Sequence, residues 1–174
     1  MNRFARSVAD ATRCRMASDA IEREHGPYLL STDRARVDVD AVHRFLSESS
    51  YWARGRPLDV QSAAIANSLL VVGAYHDAGP GARPVQVAFA RMVTDLATFA
   101  WLCDVYVLDE HRGGGLGTAM VRLIVEHPAV IGVRLQLLGT ADAHGLYARF
   151  GYAPLAEPSR WMARRVVHTA PDDR

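Results

Sequence analysis

Lysine is absent from this chain of 174 residues, and cysteine is scarce. All 20 basic residues are arginine, and they almost balance the 19 acidic residues, so that the formal net charge is +1. A nearly neutral chain has no bulk electrostatic attraction to nucleic acid, and it has no basic run with interleaved aromatic residues. The missing lysine also excludes the Walker phosphate loop, which requires a lysine after its last glycine.

The two cysteines, Cys14 and Cys103, are too few for a disulfide framework. Cys103 lies in an apolar stretch, where a small buried thiol is expected rather than a reactive one. No apolar run reaches membrane-spanning length, and no secretory signal pattern is visible. These features predict a cytoplasmic protein that binds neither a membrane nor nucleic acid.

The length and a hydrophobic fraction of 49% favour one domain with a sizeable core. Residues 1–25 contain few apolar side chains, and we predict an N-terminal extension that is either a weakly amphipathic helix or a flexible tail. The single domain is expected to cover residues 26–168, and a short C-terminal tail covers residues 169–174.

Hydrophobic periodicity predicts a mixture of strands and helices along the domain. Strands are expected at 27–31, 69–74, 85–94, 99–108 and 133–138, with a last strand at Trp161 and Met162. Helices are expected at 40–49, 58–66, 118–127 and 142–150. The three consecutive strands between residues 69 and 108 predict an antiparallel meander.

A glycine-rich loop joins the strand that ends at Leu108 to the helix that begins near Thr118. The loop has the pattern R-x-x-G-x-G, supplied by Arg112, Gly113, Gly114, Gly115, Leu116 and Gly117. Glycines allow the main chain to approach a ligand, and free N–H groups at a helix start favour an anion. The loop therefore predicts a phosphate site, and the alternative is a glycine-rich turn before an ordinary helix.

A second motif lies further along the chain. Residues 143–152 fit A-x-x-L-Y-x-x-x-G-[FY], matched by Ala143, Leu146, Tyr147, Gly151 and Tyr152. In this order, the two motifs resemble those of the Gcn5-related N-acetyltransferases, and the resemblance covers about residues 28–165. It implies an α/β fold of the α+β type, with a mixed, mostly antiparallel central sheet of six to seven strands flanked by about four helices.

The resemblance implies acetyl-CoA as the cofactor and no metal. The loop from Arg112 to Thr118 would take the pyrophosphate. The backbone N–H groups of Val105 and Val107 would face the thioester and the pantetheine chain, and that of Val107 would polarise the acetyl carbonyl. Many members carry asparagine seven residues before the motif tyrosine. This chain has Thr140 there, which is the candidate for the corresponding contact.

Tyr147 is the candidate general acid. By resemblance it lies near the CoA sulfur and protonates the leaving thiolate, because a phenol within hydrogen-bond reach can supply that proton. The alternative is a core tyrosine with a satisfied hydroxyl.

Asp104 is the candidate general base for the acceptor amine. Alternation along the strand places Leu102, Asp104 and Tyr106 on one face, and an unpaired buried carboxylate is costly. The alternative is a structural partner for an arginine. Asp95, His111 and His144 are weaker candidates for the base.

The segment from Tyr51 to Pro57 combines large aromatic side chains with arginines. We predict that Tyr51, Trp52, Arg54 and Arg56 line the substrate pocket, since aromatic faces hold amines or rings and guanidinium groups hold carboxylates. A surface turn whose aromatic residues pack onto the core is the alternative. Diamine and polyamine acetyltransferases have an acidic pair where this chain has Cys103 and Asp104, which weakens the case for a polycationic substrate.

These observations predict an acetyl-CoA-dependent N-acetyltransferase. It would move an acetyl group to the primary amine of a small molecule by direct transfer in a ternary complex, as a monomer or homodimer. A protein or peptide acceptor and a non-catalytic CoA-binding domain are the alternatives.

Overall fold

The computed structural model describes residues 20–77, 79 and 81–164. The predictions for residues 1–19 and for the tail at 169–174 fall outside these residues. Within them, Glu22–His25 already forms a strand that pairs with the next one. The sheet therefore begins inside the stretch that the sequence assigned to an N-terminal extension, ahead of the predicted boundary at residue 26.

The described part of the chain contains one six-stranded sheet whose spatial order follows the chain order. Its strands are β1 (Glu22–His25), β2 (Tyr28–Ser31), β3 (Leu70–His76), β4 (Val85–Thr94), β5 (Phe99–Val107) and β6 (Leu135–Leu137). Neighbouring strands are antiparallel except β5 and β6, which run parallel. The mixed, mostly antiparallel sheet and its central meander are confirmed.

The predicted strand at Trp161 and Met162 is wrong, because residues 161–164 have no regular structure. Both side chains are exposed, and that of Met162 is 99% accessible. A 3-10 turn at Pro158–Arg160 precedes them. A strand needs hydrogen-bonding partners, and among the described residues the sheet ends at β6.

Four α-helices flank the sheet in the described part of the chain. They are α1 (Val39–Arg44), α2 (Leu58–Ala66), α3 (Leu116–Val125) and α4 (His144–Ala148). The carboxylate of Asp38 caps α1 by accepting the N–H of Ala41, and the helix continues into a π-helical turn at Phe45–Ser49. The number of helices agrees with the fold that the sequence predicts.

Apolar side chains cover both faces of the sheet, so the domain has three layers. One face packs against α3, which buries Leu116, Met120, Val121 and Ile124. The other packs against α1, its π-helical turn and α2, through Val42, Leu46 and Ile65. Each fully buried side chain of this kind contributes about 1.5–3 kcal/mol, so the two helical layers hold the sheet rigidly between them.

Strand β5 changes its facing direction partway along. Leu102 belongs to the core on the α3 side, whereas Tyr106 belongs to the core on the α1 side. Between the pairs Arg91–Cys103 and Phe89–Tyr106, β5 has one residue more than β4, and Asp104 has a φ of 52°. This bulge makes the predicted common face of Leu102, Asp104 and Tyr106 wrong, because an extra residue reverses the alternation.

Replacing Ile124 by alanine tests the packing of α3 on the sheet. Ile124 is fully buried, so the substitution leaves a cavity and lowers the free energy of unfolding by about 2–5 kcal/mol. Ile131 is 65% exposed, and Ile131→Ala is the matched control, with an expected change within about 0.5 kcal/mol. Urea unfolding measures both, and equal losses would contradict the three-layer core.

Candidate active site

A gap opens between β5 and β6 next to the bulge. Strand β6 pairs only with Phe99–Trp101, while β5 runs on to Val107. The N–H of Leu108 donates to the carbonyl of Val87 at 2.9 Å, so it points toward β4. Because N–H directions alternate along a strand, the N–H of Val107 points away from β4 and into the gap. Strand β5 thus presents backbone donors that no strand among the described residues accepts.

The glycine loop presents a second row of free donors. The first intrahelical bond of α3 runs from the N–H of Ala119 to the carbonyl of Gly115 at 3.0 Å. No backbone N–H from Gly113 to Thr118 has an acceptor among the residues that the structure describes. Gly115 caps the helix with a φ of 78°, a left-handed conformation that glycine adopts without strain. The loop is therefore built to receive an acceptor-rich group.

The N-terminal hairpin holds the glycine loop in place. Nε2 of His25 lies 2.8 Å from the carbonyl oxygen of Gly114. The hydroxyl of Tyr28 lies 3.0 Å from Nδ1 of His111, which directly precedes the loop. No local pattern predicts these contacts, since they join residues more than 80 positions apart and His25 lies in the stretch predicted as an extension.

Arg112 lies between the loop and the gap. Its Nε donates to the carbonyl of Val107 at 3.0 Å, and its guanidinium pairs with the carboxylate of Asp109 at 2.8 Å. The side chain of Arg112 is 57% exposed. Its charge therefore lies beside the free N–H groups of the loop and in contact with solvent.

Tyr147 lies on α4 against the start of α3. A Cβ added at Gly117 would lie 3.6 Å from Val107 and 4.0 Å from Leu146, which are ordinary contact distances, so the start of α3 lies close to both β5 and α4. Burial, together with Tyr152, Tyr51 and Asp142, raises the pKa of Tyr147 to about 12. Its hydroxyl therefore keeps its proton at neutral pH.

Thr140 and Tyr51 both accept hydrogen bonds from the segment that leads into α4. The hydroxyl oxygen of Thr140 accepts the N–H of Ala143 at 3.0 Å and so stabilises the turn before α4. The hydroxyl oxygen of Tyr51 accepts the N–H of Ala141 at 2.8 Å. The aromatic segment after α1 is thereby joined to the segment that leads into α4.

Asp104 lies in a network of ion pairs. Its side chain is 2% exposed, and one carboxylate oxygen accepts from Nη1 of Arg56 and from Nε of Arg91, each at 2.7 Å. The other oxygen accepts the indole N–H of Trp52 at 3.2 Å. Burial raises the pKa of this carboxyl, but the hydrogen bonds and charges of the two arginines outweigh that effect and hold the pKa below its ordinary value.

This arrangement agrees with the alternative assignment of Asp104, a structural partner for arginine. A lowered pKa weakens a carboxylate as a base, since it reduces the driving force for accepting a proton. The role of Asp104 as general base stays a prediction.

The other candidates for the base occupy different surroundings. Asp95 is exposed and accepts the N–H groups of Ala97, Thr98 and Phe99 within its own turn. A hydrogen bond from the side chain of Thr98 and these backbone bonds lower its pKa. His144 is exposed, and His111 contacts Tyr28. None of these three side chains contacts the ion-pair network of Asp104.

The four residues of the predicted substrate segment do not all contact this site. Tyr51 bonds to Ala141, and Trp52 and Arg56 bond to Asp104. Arg54 is exposed and forms no ion pair with the described residues. Burial raises the pKa of the Cys103 thiol to about 11, which agrees with an unreactive neutral thiol.

Two residues of the network were missed at the level of sequence. Arg91 pairs with Asp104, and its Nη1 donates to the hydroxyl of Ser68 at 3.1 Å. Gln61 is fully buried and accepts from Nη1 of Arg56 at 2.7 Å. Arg91 is the one charged residue of strand β4, and this was the available signal for it, whereas Gln61 had none.

Metal-binding clusters and membrane-spanning helices are both absent from the described residues. They contain no cluster of three or more histidine, cysteine, aspartate or glutamate side chains arranged to hold a metal ion. Within the same part of the chain, no helix has the length and apolar character needed to cross a membrane.

Asp104→Asn tests the energetic role of the network. Asparagine tolerates the left-handed backbone but leaves two partly buried guanidinium groups without an anion, so the free energy of unfolding falls by about 3–5 kcal/mol. Asp109→Asn removes the partner of Arg112 at a pair that is 57% and 81% exposed, and its cost stays below about 1 kcal/mol. Urea unfolding at pH 7 compares the two.

The difference in unfolding free energy between wild type and Asp104→Asn also has a predictable pH dependence. The folded-state pKa of Asp104 lies below its ordinary value of 3.8, so its contribution is present above about pH 4 and is lost as the pH falls through the folded-state pKa. The stability difference between wild type and Asp104→Asn therefore narrows below pH 4. A difference that is small at pH 7 would contradict the role of the network.

Comparisons with known proteins agree with this geometry. The sequence model of the acetyltransferase (GNAT) domain matches residues 68–154, half of the chain. That range contains the meander, the glycine loop, α3 and α4.

Individual relatives give the same result. A crystal structure from Xanthomonas campestris pv. campestris, assigned to the GNAT family of acetyltransferases, is 43% identical and covers 80% of this chain and 93% of its own, with a TM-score of 0.73. A protein of Gibberella zeae assigned as an acetyltransferase is 38% identical over 114 residues, which span 58% of this chain and 64% of that protein, less than two thirds of its length.

A more distant structure shares the fold alone. A predicted acetyltransferase from Clostridium acetobutylicum, crystallised with acetyl-CoA, is 16% identical with a TM-score of 0.57, and the match covers 79% of this chain and 94% of that one. The family match and the 43% identity to the Xanthomonas protein together show that this chain belongs to the Gcn5-related N-acetyltransferase family.

Proposed function

We propose that this protein is an acetyl-CoA-dependent N-acetyltransferase that moves an acetyl group to the primary amine of a small molecule, by direct transfer in a ternary complex. The observation that carries the proposal is the row of free N–H groups from Gly113 to Thr118, which leads to the donor of Val107 in the gap beside β5.

The residues of the loop fit the diphosphate of coenzyme A. Free N–H groups at the start of α3 carry the positive end of the helix dipole, and Arg112 adds a charge beside them. A Cβ at Gly113 or Gly114 would meet no atom within 4 Å, so the bare backbone there faces open space. A protein of the same fold from Clostridium acetobutylicum was crystallised with acetyl-CoA, so the fold accommodates this molecule.

The gap beside β5 fits the remainder of the cofactor. When bound, acetyl-CoA would supply an acetyl group activated as a thioester. The N–H of Val107 would donate to the acetyl oxygen, where negative charge develops during transfer. The backbone at Val105 and the hydroxyl of Thr140 would contact the pantetheine chain.

Tyr147 would supply the proton that the leaving sulfur needs. The amine nitrogen forms the new C–N bond as the C–S bond breaks, and the phenol hydroxyl donates its proton to the sulfur. The surplus proton of the nitrogen passes to solvent, from which Tyr147 is reprotonated. A pKa near 12 ensures that the hydroxyl is protonated when transfer begins.

The aromatic segment supports a small acceptor over a protein or peptide. Tyr51 bonds to Ala141 on one wall, while Trp52 and Arg56 bond to Asp104 on the other. The segment therefore joins β5 to the turn before α4, and in this position it would narrow the acceptor side of the gap. An extended peptide needs an open groove, which this bridge disfavours.

Tyr147→Phe tests the proposed acid. The substitution keeps the ring but removes the proton, so kcat falls by about 10²–10⁴-fold where chemistry limits the rate. Tyr152→Phe is the matched control, because the Tyr152 hydroxyl donates to Gln136 and both residue types fit the motif. Release of free thiol from acetyl-CoA with an amine panel measures both variants.

Calorimetric titration with coenzyme A separates binding from chemistry. Tyr147→Phe should bind it as tightly as wild type does, since the loop is unchanged. Tight binding of coenzyme A by wild type without acetylation of any amine would favour a non-catalytic binding domain. An absence of binding would overturn the proposed cofactor.

The pH dependence of kcat/KM tests whether Asp104 acts as the general base. Its pKa lies below 3.8 and that of Tyr147 is about 12, so neither group titrates between pH 5 and 10. The rate should then follow the fraction of neutral acceptor amine, and the midpoint should move with the pKa of the amine. Profiles for two acceptors of different amine pKa measure this shift. The same midpoint for both would show that a group of the enzyme acts as the base.

A further inference from the structure

We propose that the acceptor carries a carboxylate in addition to its amine, and that Arg56 and Arg91 bind this carboxylate. The inference rests on the proposed function, because it places the acceptor in the same cleft. It narrows the substrate class to amino acids and related amino-carboxylates.

The cluster around Asp104 has a surplus of positive charge. Two guanidinium groups share one carboxylate, and neither arginine pairs with any other acidic side chain of the described residues. Cys103, the neighbouring residue on β5, is a neutral thiol at neutral pH. Within the described part of the chain, one positive charge therefore remains without a counter-ion, at a site where the side chains of Arg56 and Arg91 are only 21% and 12% exposed.

Several donors of the cluster remain available. Arg56 uses Nη1 for Gln61 and Asp104, and Arg91 uses Nε and Nη1 for Asp104 and Ser68. Nε and Nη2 of Arg56 and Nη2 of Arg91 have no acceptor among the described residues, and none of these three atoms is fully buried. They are available to a ligand that enters from the cleft, and guanidinium groups match the geometry of a carboxylate.

Gln61 provides an independent sign of a missing acceptor. Its oxygen accepts from Arg56, which fixes the orientation of the amide, and its Nε2 is buried without a partner in the described structure. A buried donor of this kind is unfavourable when it stays unpaired. The unpaired amide donor beside Arg56 shows that the hydrogen-bonding capacity of this cluster is not fully used within the described residues.

The cluster lies on the path to the proton donor. Trp52 bonds to Asp104, its ring packs edge-on against Tyr51 at 4.9 Å, and the hydroxyl of Tyr51 accepts the N–H of Ala141, just before the helix that carries Tyr147. A carboxylate held by the arginines would leave the amine of the same molecule directed along this path toward Val107. The surplus charge also repels a second ammonium group, which disfavours diamines and polyamines.

Binding without turnover tests the proposal first. Calorimetric titrations with N-acetyl amino acids and with the corresponding N-acetyl amino acid amides compare ligands that differ mainly in the carboxylate. The acids should bind about 10–100-fold more tightly, as expected for charge-assisted hydrogen bonds. Equal affinity, or no measurable binding of the acids, would overturn the proposal.

Arg56→Gln locates the carboxylate site. This variant keeps the pair between Arg91 and Asp104, so it leaves no buried charge unpaired, and it removes the surplus charge. Its affinity for the acids should fall by about 10–100-fold while its affinity for the amides stays the same. Arg44→Gln removes an equal charge from an exposed position at the end of α1 and should leave both affinities unchanged. Equal losses for acids and amides in Arg56→Gln would contradict the assignment.

Acetylation of amino acids and of the corresponding amino alcohols gives the activity readout. Amino acids should have the higher kcat/KM, chiefly through KM, and Arg56→Gln should remove this preference. Preferred acetylation of amino alcohols or diamines would overturn the proposed acceptor class but not the proposed acetyltransferase activity. Loss of coenzyme A binding would instead mark a failure of the proposed function, so the two failures are distinguishable.

Discussion

The ion pairs of Asp104 hold the geometry on which the site depends. A non-glycine residue with a φ of 52° inside a strand costs about 1–3 kcal/mol and persists only when its surroundings fix it. Arg56, Arg91 and Trp52 fix it here by taking both carboxylate oxygens. The bulge turns Tyr106 toward α1 and bends β5 where β6 no longer pairs with it. The free donor of Val107 is a consequence of that bend.

Most secondary structure could be predicted because its causes are local. Leu58–Ala66 follows Pro57 and has helical composition, the meander follows from apolar runs separated by turn residues, and the glycine loop carries its own motif. The last predicted strand failed for a reason that no local pattern contains. Trp161 and Met162 have suitable residue types, but a strand also requires a neighbour, and the sheet of the described residues ends at β6.

The positions of the candidate site residues were predictable where they depend on backbone motifs and unpredictable where they depend on side-chain pairing, and their roles stay predictions. The loop from Arg112 to Thr118 and the position of Tyr147 followed from two motifs. The contact of His25 with Gly114 joins residues 89 positions apart, and the pairing of Arg91 with Asp104 depends on the register of β4 and β5. Strict alternation also wrongly placed Leu102 and Asp104 on the same face of β5, because the order of apolar and polar residues does not reveal a single inserted residue.

Charge balance decides what a carboxylate at this position can do. Beside a second carboxylate, Asp104 would attract cationic groups and would take up a proton more readily. The chain instead has a neutral thiol at Cys103 and two arginines within hydrogen-bonding distance, so the carboxylate stays ionised and its charge is more than compensated. An acidic residue in the cleft thus coexists with a local surplus of positive charge. In the proposed function that surplus would pair with an acidic acceptor, and Asp104 would orient the two guanidinium groups rather than accept a proton from the amine.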